Sequence, residues 1–315
     1  MGHRMTKYAS QLQDFNDLLA ATARAKNLPD AIIEKDYFVV RALRVLCEAI
    51  PGQFVFKGGT SLAKGWNLLE RFSEDIDLLF RTDDGHGSQI SRGEVDRRLE
   101  RAEQVVGSTE GFRFLRQTRS RGVRRCSDFE YPRLATAAIA IGQTVRLEMG
   151  TRGGVQPSSI RPIRSYICEV AEAQGKADIA DDLRPFEVEC LDVTRTTVEK
   201  LFAVHAAFER DHAKGRTRHY YDLFQATGLR EVQAFLASGE YAQVREDVER
   251  YSRDNWPEEA LPPNGKFSHS AAFAPGKEGL AVLKQHYREE RDLFFADPPS
   301  METILERLQN VTKNI

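Results

Sequence analysis

Two carboxylates one residue apart, Asp75 and Asp77, open a run in which Ile76, Leu78, Leu79 and Phe80 are all apolar. Alternate side chains of a strand share a face, so both acids project together while Ile76 and Leu78 turn to a core. Two such anions repel at neutral pH unless a divalent cation lies between them, and an oxygen-donor pair of that kind serves phosphoryl transfer. Upstream, a second apolar run, Phe54-Val55-Phe56, leads through Lys57 into Gly58-Gly59-Thr60-Ser61. A glycine turn between a strand and a helix start can aim backbone N–H groups, with the Thr60 and Ser61 hydroxyls, at an anion such as a triphosphate. It lacks the spacing of a P-loop or a dinucleotide fingerprint, and a tight turn without a ligand has the same composition. With one helix returning the chain from turn to acidic strand, the two motifs share one sheet.

The elements that must position them follow from periodicity. Residues 10–27 read as an amphipathic helix with Leu12, Phe15, Leu18, Leu19 and Thr22 on one stripe, and Pro29-Asp30 opens a second that Pro51-Gly52 ends. Strands are expected over 54–57 and 73–80, with a helix over 61–69 between them. A loop over 82–93 and a helix over 94–106 come next, then strands over 112–117, 135–141 and 144–149. From about 193 the pattern is helical, broken by a Pro/Gly-rich stretch over 257–279. The expected fold is α/β, of the α+β kind: a mixed sheet with flanking helices in a domain of residues 1–175, then a mainly helical domain of 176–315, the boundary falling between 165 and 190.

With 315 residues and 41% hydrophobic content the chain can bury a substantial core, and 45 basic against 47 acidic residues exclude a uniformly basic nucleic-acid binder. Any polyanion must be met by local clustering. The cysteines Cys47, Cys126, Cys168 and Cys190 have no CxxC spacing, so neither a zinc site nor a disulfide framework is expected, and a reducing cytoplasm fits. No apolar leader or membrane-length run occurs. Met5 is an alternative start, which would make Met1 to Arg4 an addition.

Further candidates lie downstream. Glu148 alternates with Leu147 and Met149, so it faces away from the core, either as a third carboxylate for metal or base chemistry or as a surface glutamate. Lys200 lies off a stripe of Val198, Leu201, Phe202, His205 and Phe208, placed to neutralise phosphate or simply solvated. Asp222, among Tyr220, Tyr221, Leu223 and Phe224, needs a cation: Arg218 on the same helix face or Lys200. Arg113, Arg116, Arg119, Arg121, Arg124 and Arg125 could track a phosphate backbone, form a solvated basic face, or dock an acidic partner. His205 reads as a core or boundary histidine, and His212 and His219 as part of a basic stretch.

Taken with their flanks, the motifs carry a resemblance. Glu34-Lys35-Asp36-Tyr37, Lys57-Gly58-Gly59-Thr60-Ser61-Leu62 and Arg71-Phe72-Ser73-Glu74-Asp75-Ile76-Asp77-Leu78 are similar to segments of the AbiEii/AbiGii-type nucleotidyltransferase toxins, within the DNA polymerase β-type superfamily. Val145-Arg146-Leu147-Glu148, Val198-Glu199-Lys200-Leu201 and Arg218-His219-Tyr220-Tyr221-Asp222-Leu223 agree, so the resemblance spans about 30 to 225, the last ~90 residues adding nothing. It implies an enzyme that moves an NMP from an NTP to an acceptor hydroxyl with Mg²⁺ or Mn²⁺ and releases pyrophosphate. Asp75, Asp77 and Glu148 would hold the metal. Lys57, Gly58, Gly59, Thr60, Ser61, Ser73 and Lys200 would contact the nucleotide, and Lys200 and Asp222 would contribute from the helical domain. It further implies an RNA acceptor, a tRNA 3′ end, growth arrest as outcome, and a cognate antitoxin. A small-molecule or protein hydroxyl as acceptor, or a catalytically silent nucleotide- or partner-binding module, are the alternatives.

Overall fold

Strict alternation builds the central strands. β5 (Thr144–Gly150) buries Val145, Leu147 and Met149 and leaves Arg146 and Glu148 half-exposed, and β2 (Asp75–Phe80) buries Ile76 and Leu78 while Asp75 and Asp77 stay half-exposed. The computed structural model describes residues 7–85, 87–134, 142–210, 216–255, 261–313 and 315. Met1 to Arg4 and the strand expected over 135–141 lie outside the described residues, as does His212. The chain divides into two compact units: Met1–Trp66, Ser73–Thr151 and Ser158–Cys190 form the first, and Asn67–Phe72, Arg152–Pro157 and Leu191–Ile315 the second.

The first unit contains α1 (Phe15–Lys26), α2 (Asp30–Ala49), β1 (Phe54–Lys57), α3 (Gly58–Lys64), β2, α4 (Arg92–Gly107), β3 (Arg113–Ser120), β4 (Arg124–Glu130), β5, β6 (Ser158–Ile163), α5 (Tyr166–Ala173) and β7 (Phe186–Leu191). The seven-stranded sheet runs β3-β4-β5-β2-β1-β7-β6. β2 is antiparallel to β1 and parallel to β5, whereas β4 is antiparallel to both β3 and β5. The expected mixed sheet with flanking helices is therefore present. β4, β6, β7 and α5 were not read from the sequence. β4 escaped because its Arg-rich start hides the alternation that follows.

α2 and α4 cover the apolar face. Every residue of 31–43 is buried, including the charged Glu34, Lys35, Asp36 and Arg41, so α2 is a central helix and not a surface one. Phe38, Phe56, Phe80 and Phe129 are each 0–1% exposed, and burying one such side chain contributes roughly 1.5–3 kcal/mol. The helix after the glycines differs from expectation. It begins at Gly58 itself and ends at Lys64, capped by Gly65, and Asn67 at φ +50° turns the chain out of it.

The second unit holds α6 (Val193–Glu209), α7 (Arg218–Ala226), α8 (Arg230–Leu236), α9 (Gly239–Asn255), α10 (Lys277–Glu289) and α11 (Met301–Thr312). α6 packs against α7, α8 and α9, and the rings of Phe202, Phe267 and Phe273 meet edge-on at 4.9 and 5.8 Å. No helix among the described residues is long and apolar enough to cross a membrane.

Candidate active site

The glycine turn and the acidic strand of the first unit meet at one point. Gly58 has φ +78°, a conformation open to glycine, and a Cβ placed there would lie 2.1 Å from Asp77 Oδ2. Both backbone shape and space therefore require glycine where the turn touches the second acid. Thr60 locks the same join from inside: its hydroxyl donates to the Asp75 carbonyl at 2.6 Å and lies 2.9 Å from Ser73 Oγ. Thr60 and Ser61 are each 2% exposed, and Ser61 is turned inward beside the Cys190 thiol. The expectation that these two hydroxyls converge on an anion is thus corrected. Thr60 braces the turn, Ser61 is buried away from solvent, and what remains for an anion is the half-exposed backbone of Gly58 and Gly59.

Register places the rest of this face. Lys57 stands opposite Asp77 on one side, and Glu148 stands opposite Asp77, and Arg146 opposite Asp75, on the other. Cys126 and Asp128 of β4 continue the two rows. Arg146 and Arg116 both reach Asp128, at 2.9 and 2.7 Å, and the hydrogen bond from Arg146 leads the causes that hold the Asp128 carboxyl below its ordinary range. Glu148 lies 3.5 Å from Arg124. Among the described residues no group of three or more His, Cys, Asp or Glu side chains converges as a metal cage. Asp75 and Asp77 nevertheless suit a hard divalent cation, which takes one or two carboxylates, with substrate phosphates and water filling the remaining positions. The Asp77 carboxylate packs directly on Gly58, so the half-exposed backbone of the turn and the second acid lie side by side.

The six arginines do not form one track. Arg113, Arg116 and Arg124 share the acidic face and pair with Glu130, Asp128 and Glu148. Arg125 is 1% exposed on the opposite face, 2.8 Å from Glu103, and its expected contact with a polyanion is withdrawn. Arg119 shares Arg125's register on the exposed edge strand, and Arg121 lies in the hairpin turn.

Within the second unit, Asp222 is fully buried and held by Arg71, whose Nε and Nη2 donate at 2.7 Å to the two carboxylate oxygens, and by Lys200 at 2.8 Å. Burial alone would raise the Asp222 carboxyl, but Arg71 and then Lys200 hold it well below its ordinary value. Arg218 plays no part in the pairing. Lys200 is itself buried, not set free off a stripe, because α6 is covered on nearly every side. It donates to His219 Nδ1 at 3.1 Å, and burial, with the lysine's charge, pushes that imidazole down to about 3, so the ring is neutral. His205 is a core histidine as expected, with Nδ1 2.7 Å from Ser270 Oγ.

Arg71 is the residue that sequence reading missed. It was visible within the Arg71-to-Leu78 motif, and Asp222 demanded a cation, but spacing along a helix cannot point to a partner 151 residues away.

Comparison with curated proteins finds none that matches the chain. A family model described as nucleotidyl transferase AbiEii toxin, type IV TA system, matches residues 41–309, well past the 225 at which the motif resemblance stops. The helices after 225 are therefore part of what the family shares. This chain belongs to the AbiEii nucleotidyl transferase toxin family of type IV toxin–antitoxin systems, which makes it a nucleotide-transferring enzyme with an antitoxin as counterpart.

Proposed function

We propose that the chain is a Mg²⁺-dependent transferase that moves an NMP from an NTP to the hydroxyl of an RNA acceptor, a tRNA 3′ end, and releases pyrophosphate. The observation that carries this is the contact between turn and acid. Phosphates seated on the half-exposed backbone of Gly58 and Gly59 would come beside the Asp77 carboxylate, which packs on Gly58 itself. Asp75 and Asp77 would hold the cation. Bound there, it would neutralise phosphate charge and polarise the phosphoryl group. Lys57 and Ser73 flank the turn and would orient the triphosphate, with Thr60 bracing the backbone that binds it and Ser61 buried behind it. Glu148, in register with Asp77, would accept the proton of the acceptor hydroxyl or complete the acidic set. In the second unit Lys200, held by Asp222, is the candidate cation for phosphate charge.

An RNA acceptor is supported by Arg113, Arg116, Arg124 and Arg146 on the acidic face. All four are ion-paired to carboxylates, and that partial neutralisation favours, as the second reading, a smaller acceptor hydroxyl. The deciding experiment incubates the protein with Mg²⁺, each α-labelled NTP and total bacterial RNA, beside an Asp75→Ala/Asp77→Ala control. Label in the tRNA band, absent from the control, is expected. Label in no RNA, despite nucleotide binding, would overturn the RNA acceptor.

A further inference from the structure

The segment Glu34-Lys35-Asp36-Tyr37 has no role in the site described above, yet its residues are 1%, 2%, 5% and 1% exposed. A full turn of α2 thus carries three charged groups and a phenol out of water, each satisfied by a different element. Glu34 accepts from the Leu134 backbone N–H, and Tyr37 donates to Asp182 Oδ2 at 2.6 Å. The two central residues reach the elements of the nucleotide site. Lys35 pairs with Glu74, the residue immediately before Asp75, and donates to the Gly142 carbonyl at 2.9 Å. Asp36 pairs with Lys64, the last residue of α3, and accepts from the Tyr166 backbone N–H at 2.7 Å. The Lys64 ammonium also lies 3.5 Å from the centre of the Tyr166 ring.

We propose that Lys35 and Asp36 are positioning residues: adjacent and oppositely charged, they clamp the acidic strand through Glu74 and the glycine-turn helix through Lys64, and so set the spacing between turn and acids. The inference rests on the nucleotide-site reading above. The Asp36–Lys64 pair is buried on both sides, whereas Glu74 is 39% exposed; buried ion pairs are poor net stabilisers and half-exposed ones contribute less still, so apolar pairs of similar shape often replace them without loss of stability. What such pairs supply here is direction, because each joins one charge on the buried central helix to one charge at the end of a site element. The join they control has no slack, since Gly58 and Asp77 leave no room for one more carbon. Where reacting groups are held that tightly, a misplacement of about 1 Å lowers turnover on the order of a hundredfold.

The test uses the full chain and the double variants Lys35→Met/Glu74→Leu and Asp36→Leu/Lys64→Met, with Asp77→Ala as control. Steady-state kinetics, thermal unfolding and hydrogen exchange are measured on each. The clamp predicts Tm within about 4 °C of the parent, kcat lower by roughly 10–100-fold, KM for the NTP within about threefold, and faster exchange confined to α3 and β2. Unchanged kcat and exchange in folded double variants, with Asp77→Ala inactive, would overturn the clamp and leave the site intact. An active Asp77→Ala would instead overturn the site reading. Should a double variant unfold, Lys64→Arg decides: it keeps the charge and alters the arm's length, so reduced kcat at parental Tm supports the clamp and parental kcat overturns it.

Discussion

The acids of the two units differ in how far solvent reaches them. Asp75 and Asp77 stand half-exposed on a sheet face, within reach of solvent and of whatever solvent carries, whereas Asp222 is 0% exposed and receives three short contacts from two cations. A half-exposed acid loses little hydration on folding and remains available to a cation or substrate. A fully buried one persists as an anion only because its partners replace water, so its first effect is on the fold. The two kinds of acid should therefore answer mutation differently, the first through turnover and the second through stability.

Two substitutions at the extremes break the comparison if it is wrong. Asp77→Ala is expected to lower kcat by at least about a hundredfold, the equivalent of several kcal/mol of transition-state stabilisation, while leaving the urea midpoint nearly unchanged. Asp222→Ala is expected to destabilise by about 3–5 kcal/mol, because Arg71 and Lys200 lose their counterion in a buried setting. Urea unfolding followed by far-UV circular dichroism reads both. An Asp222→Ala protein as stable as the parent would sink the contrast.

Gly58→Ala sharpens the contrast at intermediate size. The left-handed φ alone costs about 1–2 kcal/mol for an alanine. The new methyl must also displace the Asp77 carboxylate, so kcat should fall together with stability. Stability loss with parental kcat would show that the contact between turn and acid is only structural.

How much of this was legible in the sequence follows the range of the forces involved. Alternation around Ile76 and Leu147 placed both acidic strands, since a one-residue slip would have put Asp75 and Glu148 in the core. Length and punctuation placed α1 and α2. The demand of Asp222 for a cation pointed to Lys200 as one of two choices, but other matters decided by distant partners did not show: Arg71 on Asp222, Glu103 on Arg125, and the burial of Lys200. Residue type suggested that Thr60 and Ser61 face a ligand, because hydroxyls after glycines suit an anion. Packing decided otherwise, and the hydroxyl of Thr60 serves the backbone of Asp75.

The smallest expected effect is a change in pH dependence within the buried cluster. His219 is neutral with its pKa depressed to about 3, facing Lys200, Asp222 and Arg216. A base depressed on folding stabilises the native state fully above its unfolded pKa of about 6.5, and that contribution is lost as pH falls from there toward the folded value. Asp222, also depressed, adds its own loss only below about pH 4, where the unfolded carboxyl begins to bind its proton. Between about pH 6.5 and 4 the two are separable. His205 is also lowered, by burial, in the same unit, so its contribution too begins to be lost as pH falls below about 6.5, and it supplies the control. His219→Gln should leave stability at pH 7.5 within about 1 kcal/mol and flatten its decline between about pH 6.5 and 4, with His205→Gln flattening it independently. A parental slope in His219→Gln would mean that the imidazole is not held neutral by Lys200, and that the lysine's charge is directed by Asp222 and Arg71 alone.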